Sequence, residues 1–194
     1  MTKYETKALD AKTWPHFARL VDANNGVWGG CWCMWYHGKG ESADDDAPAS
    51  KCKAKKRLVR EGRAHASLVF DGKDCVGWCQ FGSPEELPRI HNHRAYMATD
   101  PKLPDWRITC FFSGKGYRGK GVASAALQGA IEQIKKLGGG RIEGYPEDIE
   151  GRKASPAFLF NGALSTFERL GFKRSRQIGK HKWVVTRTAR RSRR

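Results

Sequence analysis

Residues 111–127 read FFSGKGYRGKGVASAAL. Two phenylalanines close an apolar run, four glycines fall within the next nine residues, and a helix-like stretch follows. Glycine at that density after a strand lets backbone amides come close to a ligand, and phosphate is the usual one. On either side the pattern is regular. Trp106–Phe112 reads as a strand, and Val122–Leu137 as a helix with Leu127, Ile131, Ile134 and Leu137 on one face. Gly138, Gly139 and Gly140 stop it, and Arg141–Tyr145 reads as the next strand.

Several phosphate-binding patterns overlap in the loop. Gly114 to Gly119 fits G-x-G-x-x-G, and with Lys120 it approaches a nucleotide P-loop. A P-loop needs a hydroxyl on magnesium directly after its lysine, where this chain has Gly121. A dinucleotide fold needs repeated strand–helix–strand units, and only one is convincing here, although Glu143 lies near the distance of a ribose-binding acid. A ligand-free turn does not require four glycines. The third pattern is R-x-x-G-x-A, from Arg118 to Ala123.

The rest of the chain reads outward from this unit. Lys3–Leu9 is a short strand. Trp14, Phe17, Ala18 and Val21 have helical spacing, and a basic helix covers 48–63. Asp44, Asp45 and Asp46 stand at the positive end of that helix, and its charge reads as a solvated face ahead of a surface for an acidic acceptor. Ala66–Phe70, a turn at Asp71-Gly72 and Cys75–Phe81 form a hairpin. Prolines make 83–104 a loop. Ser155 and Pro156 start a further helix, with Phe160, Ala163, Leu164, Phe167 and Leu170 as its buried stripe and Gly171 at its end. Arg176–Ile178 and Trp183–Thr188 close the chain as strands.

The pair of features RITCFFSG–YRGKGVA and, downstream, STFERLGF resembles the GNAT superfamily of N-acetyltransferases, over most of the chain. The resemblance implies an α/β fold, α+β in its mixed sheet: one domain over 1–188, with a central, mostly antiparallel sheet of about seven strands and helices on both faces. Residues 189–194 are then a basic tail. It further implies acetyl-CoA as cosubstrate and transfer of acetyl to a primary amine by direct attack in a ternary complex. Cofactor-binding residues would be Phe111, Phe112 and Ser113 along the strand edge, and Arg118, Gly119, Lys120, Gly121, Val122 and Ala123 around the pyrophosphate. An amide of that strand would face the thioester oxygen.

The family's acid and base are missing at their usual places. Phe167 stands where a tyrosine often serves as acid, and Arg107 where some members carry a glutamate base. Water could relay the proton, or another residue could substitute. Tyr145 and His37 are the replacements we select by type and position, ahead of His91, His93, Glu85 and Glu86. Trp28, Trp32, Trp35 and Tyr36, in the aromatic segment GVWGGCWCMWYH, either wall the acceptor pocket or plug the core.

Cys31, Cys33 and His37 invite a zinc reading, but C-x-C is not a zinc-ribbon spacing. Cys75 and Cys79 should share one strand face as core residues, so no metal is expected. Net charge is +16, and the tail from Arg187 contributes five arginines to it. Such a field attracts anions without choosing among cofactor, acidic acceptor and nucleic acid. Charge alone supports the nucleic-acid class, which ranks last. A non-catalytic acyl-CoA-binding sensor is the alternative, motivated by the missing acid and base. No apolar run reaches the length of a membrane span, and the first residues lack a signal peptide's apolar stretch, so a cytoplasmic protein is expected. The outer strands could pair between chains into a homodimer.

Overall fold

The structure is a computed structural model, and it describes residues 4–27, 29–38, 40–41, 47–99, 101–151 and 159–192. The element order is β1 (Glu5–Ala8), α1 (Trp14–Asp22), α2 (Pro48–Arg60), β2 (His65–Asp71), β3 (Asp74–Gly82), α3 (His93–Met97), β4 (Trp106–Ser113), α4 (Val122–Lys136), β5 (Gly140–Gly144), α5 (Leu164–Arg169), β6 (Lys173–Gln177) and β7 (Trp183–Ala189). They build one seven-stranded sheet in the order β1-β2-β3-β4-β5-β7-β6. Every neighbouring pair is antiparallel except β4–β5, which the α4 crossover makes parallel. The edge strands β1 and β6 carry Glu5, Lys7, Lys173 and Arg174, charges of the kind that keep exposed edges apart.

Strand alternation sends Leu68, Phe70, Trp78, Cys110 and Phe112 to one face, under α1, α2 and the aromatic loop. Val69, Cys79, Phe81, Ile108 and Phe111 go to the other face, under α4 and α5. On the first face, Ile90 and Tyr96 from the segment before β4 pack against Tyr145, Ile178 and Val184. Two bulges shift the alternation. In β4, Cys110 faces Gln80 and Ile108 faces Phe81, so Thr109 stands unopposed and both Ile108 and Phe111 point toward α4. In β3, Phe70 faces Cys75 and Val69 faces Gly77, leaving Val76 as the extra residue. Cys75 therefore packs with the α1 cluster and Cys79 with the α4 cluster, correcting the expectation that they share a face.

Two further expectations are revised. The segment 83–104 contains the short helix α3, entered through Asn92 at φ 61°. The helix expected from Ser155 is represented by α5, which starts at Leu164; Ser155 and Pro156 lie outside the described residues. Phe160 is not on a helical stripe, because Gly162 at φ 83° turns the chain and Phe160 and Asn161 are engaged with β4. Among the described residues no helix is long and apolar enough to cross a membrane.

Candidate active site

The glycine loop joins Ser113 of β4 to Val122 of α4. Gly116, Gly119 and Gly121 have φ of 86°, 72° and 86°, the left-handed region where a side chain is strained. Two internal bonds shape the turn: the Tyr117 amide donates to the Gly114 carbonyl at 3.1 Å, and Lys120 to Tyr117 at 3.3 Å. The first amide bonded back to the helix head is that of Ala125, onto the Gly121 carbonyl at 3.0 Å. The amides of Val122, Ala123 and Ser124 precede it and have no intrahelical acceptor.

The space around the loop is open. A Cβ built on Gly116, Gly119 or Gly121 meets nothing within 4 Å. Lys115, Arg118 and Lys120 are exposed, and among the described residues none has a carboxylate partner. Amides without an intrahelical acceptor, the positive end of a helix of 15 residues and three exposed cations give this loop the chemistry that favours an anion.

Pairing of β4 with β5 runs from Trp106↔Ile142 to Ile108↔Gly144 and then stops. Beyond it the strands part, and the backbone of β4 from Thr109 on presents an edge that β5 does not pair. The protein's own chain lies on that edge. The Phe111 amide donates to the Phe160 carbonyl at 2.7 Å. The Asn161 side-chain amide donates to the Thr109 carbonyl and, at 2.8 Å, to the Tyr36 hydroxyl. Lys182 Nζ donates to Asn161 Oδ1 at 2.9 Å and lies 3.7 Å from Glu147. Leu164 and Glu147 bond each other's strap, the Leu164 amide to the Glu147 carbonyl at 2.9 Å and the Glu147 amide to the Gly162 carbonyl at 3.0 Å.

The residues singled out in the sequence fall into distinct places around this centre. Of the β4 trio, Phe111 turns its backbone to the edge that Phe160 covers. Phe112 turns its backbone to β3 and stacks its ring on Trp78 at 4.7 Å, and Ser113 ends the strand. Arg118 through Gly121 lie in the open loop, while Val122, buried in the core under α4, and half-buried Ala123 begin the helix. Trp32 is core: it is buried and stacks on Trp14 at 5.9 Å. Trp35 is half-buried, with the His91 ring stacked on it at 4.0 Å and the Arg89 guanidinium 4.4 Å from its ring centre. Tyr36 bonds Asn161, and Trp28 lies outside the described residues. Half-buried His91 has its pKa lowered to about 4 by burial, with Lys182 and Arg89 adding to the effect.

His37 is buried, and its Nε2 sits 3.2 Å from both Lys55 Nζ and Gln80 Nε2. Burial first, and then the Lys55 charge, push its pKa down to about 2. Its lone pair is thus shared between two donors. Tyr145 is buried and donates to Glu143 Oε2 at 3.3 Å; burial is the main cause that pushes its pKa well above that of a free phenol. Tyr96 donates to the same Glu143 oxygen at 2.8 Å. Glu86 accepts from the Ser83 amide at 2.8 Å and contacts His65 at 3.2 Å, while Glu85 and His93 are exposed.

At the two positions where the family template would place acid and base, Phe167 packs its ring on Phe111 at 5.7 Å, and Arg107 donates to the Leu87 carbonyl at 2.7 Å. Cys33 and Cys110 approach at 3.1 Å between their sulfurs. Among the described residues no three His, Cys, Asp or Glu side chains converge as a metal site would require.

Sequence reasoning missed Asn161, Glu147 and Lys182. The one local signal was Asn161-Gly162, a turn-forming pair that breaks the assumed helix. Nothing local links positions 36, 109, 161 and 182.

The fold and this centre define the class. The chain belongs to the acetyltransferase (GNAT) family, whose sequence model matches residues 20–148. Solved structures share its fold. An acetyltransferase from Thermus thermophilus is 13% identical, with TM-score 0.52, covering 96% of this chain and 97% of that one. RimL, the ribosomal L7/L12 α-N-protein acetyltransferase, solved in complex with coenzyme A, is 15% identical with TM-score 0.52, over 97% and 95% of the two chains. PaiA N-acetyltransferase from Thermoplasma acidophilum, also in complex with coenzyme A, is 15% identical with TM-score 0.50, over 95% and 98%. No curated protein sequence matches the chain.

Proposed function

We propose that this protein is a cytoplasmic N-acetyltransferase that moves acetyl from acetyl-CoA to a primary amine by direct attack in a ternary complex. The observation that carries the reading is the open glycine loop at the head of α4, continuous with the edge of β4 that β5 leaves unpaired and that Phe160 and Asn161 cover. The coenzyme A complexes of RimL and PaiA support the cosubstrate.

In this reading the pyrophosphate takes the amides of Val122, Ala123 and Ser124, with Arg118 and Lys120 closing over it. The pantetheine arm follows β4 and replaces Phe160 on the Phe111 amide, which then faces the thioester oxygen. A donor of that kind contributes roughly 3 kcal/mol to the transition state. A neutral amine adds to the carbonyl carbon and the thiolate departs. With a thiol pKa of about 8.5 the thiolate leaves without a strong acid. The proton shed by the amine passes to water, since His37 already shares its lone pair with two donors and Tyr145 holds its proton against Glu143. Trp35, Tyr36, His91 and Phe160 form the wall that the amine approaches.

One observation favours a second reading, a non-catalytic acyl-CoA-binding sensor: the Phe111 amide is already satisfied by Phe160. Turnover separates the two. Native mass spectrometry should find coenzyme A retained by the purified protein, and an amine panel with acetyl-CoA should release free thiol. Retention without release from any amine would favour the sensor; no retention would remove both.

A further inference from the structure

Lys182 immediately precedes β7 and is one of two buried lysines among the described residues, the other being Lys55. The two have different surroundings. Lys55 lies within the α1-side core against His37 and Gln80. Lys182 lies at the β4 edge: its Nζ is 2.9 Å from Asn161 Oδ1 and 5.2 Å from the centre of the Phe160 ring. Phe160 and Asn161 are the two residues that occupy the Phe111 amide and the Thr109 carbonyl. The Lys182 amine therefore contacts both residues that cover the stretch of β4 where, on the acetyl-transfer reading above, the thioester lies. Burial lowers its pKa while Glu147 opposes the shift, so more of it is neutral than of a lysine in water.

We propose that Lys182 is a self-acetylation site. The inference rests on the acetyl-transfer reading and adds to it an acceptor within the chain. With acetyl-CoA along β4, the neutral Nζ attacks the acetyl carbonyl carbon. An N–C bond forms, the C–S bond breaks, and the electron pair leaves on sulfur. The nitrogen sheds one proton and the thiolate takes one up through water, giving acetyl-lysine and free coenzyme A. The reaction is stoichiometric, because the amide product is no longer a nucleophile. It removes the positive charge facing Glu147 and keeps one N–H for Asn161.

The test uses the full chain with isotope-labelled acetyl-CoA, followed over time by intact mass and peptide mapping. The expected result is one acetyl group per chain, on Lys182, appearing at least about tenfold faster than on exposed Lys53 or Lys56, because positioning raises the effective concentration of the reactants. Lys182→Arg should abolish the modification. The double variant Arg118→Glu, Lys120→Glu changes only exposed side chains and should slow it in step with weakened cofactor retention. If the protein retains coenzyme A and acetylates an added amine while Lys182 stays unmodified, self-acetylation is refuted and the enzyme reading survives. Labelling of Lys182 at the same rate in the double variant, or at the rate of the exposed lysines, also overturns it. Absence of both retention and turnover removes the enzyme reading and this inference with it.

Discussion

Replacing Gly121 by alanine separates the stability of the glycine loop from its ligand binding. Gly121 has φ 86° and nothing within 4 Å of an added Cβ, so alanine there causes no clash inside the protein. The folding cost is that of holding a non-glycine residue in the left-handed region, about 1 kcal/mol. For a chain of this size that lowers the melting temperature by roughly 2–4 °C. The new methyl group stands at the head of α4, beside the amides of Val122, Ala123 and Ser124, which have no intrahelical acceptor. Losing one charge-assisted bond to phosphate costs about 1.5–3 kcal/mol, so coenzyme A should bind roughly tenfold to a hundredfold more weakly. Gly116→Ala is the control, since Gly116 has the same φ of 86° and equally open surroundings but lies before the helix head. Differential scanning fluorimetry and titration calorimetry on the three proteins give both numbers. Similar melting temperatures with a selective affinity loss in Gly121→Ala is the expected outcome. Equal affinities in all three proteins would refute the claim that these amides hold the phosphates.

Three further results are expected. His37, with a folded pKa of about 2 against an ordinary 6.5, stays neutral when folded and takes a proton when unfolded. Its contribution is complete above pH 6.5 and is lost as pH falls toward 2; by pH 4.5 the loss is about 2–3 kcal/mol. Urea unfolding at pH 7 and 4.5 should show that extra loss in the native sequence and not in His37→Gln, and identical losses would contradict the burial argument. Lys55→Met removes a buried amine that has no carboxylate partner among the described residues, and should raise stability by roughly 1–2 kcal/mol, whereas a lower melting temperature would show that the amine is favourable where it sits. Gly77→Ala should destabilise by about 1–3 kcal/mol or more, because its Cβ would stand 2.5 Å from the Phe112 carbonyl oxygen and from Val122 Cγ1; a variant as stable as the native protein would refute that packing.

The strand–loop–helix–strand unit was legible because each part has a strong local signal: an apolar run, dense glycine, helical spacing and a glycine stop. What escaped the sequence depends on distant partners. Phe160 and Ala163 match the spacing of the following helix, yet β4 claims Phe160 through its backbone and Asn161 through its side chain. The bulges at Val76 and Thr109 each insert one residue and reverse which face later side chains meet. In the aromatic loop, Val27, Trp32 and Cys33 adopt φ near 50°, a conformation their residue types do not announce. His37 and Tyr145 drew attention as titratable types, but their surroundings fix what they can do: one is an acceptor between two donors, the other a donor to a buried carboxylate.

The two parts of the candidate site differ in what a ligand gains from them. At the β4 edge the Phe111 amide is already bonded, so an incoming pantetheine group exchanges one neutral hydrogen bond for another, with a net change near zero. At the loop, the helix-head amides have no intrahelical acceptor, and Lys115, Arg118 and Lys120 are exposed with no carboxylate partner among the described residues, so on the acetyl-transfer reading phosphate adds interactions that the free protein lacks. On the same reading, the free energy of cofactor capture resides in the loop, and displacement of Phe160 is driven from that remote end. Under acetyl transfer, the donor for the developing oxyanion is uncovered only once the pyrophosphate is seated. Binding energy from the non-reacting part of the cosubstrate is then converted into a prepared reaction centre, and a short thioester without that nucleotide end would leave the Phe111 amide covered.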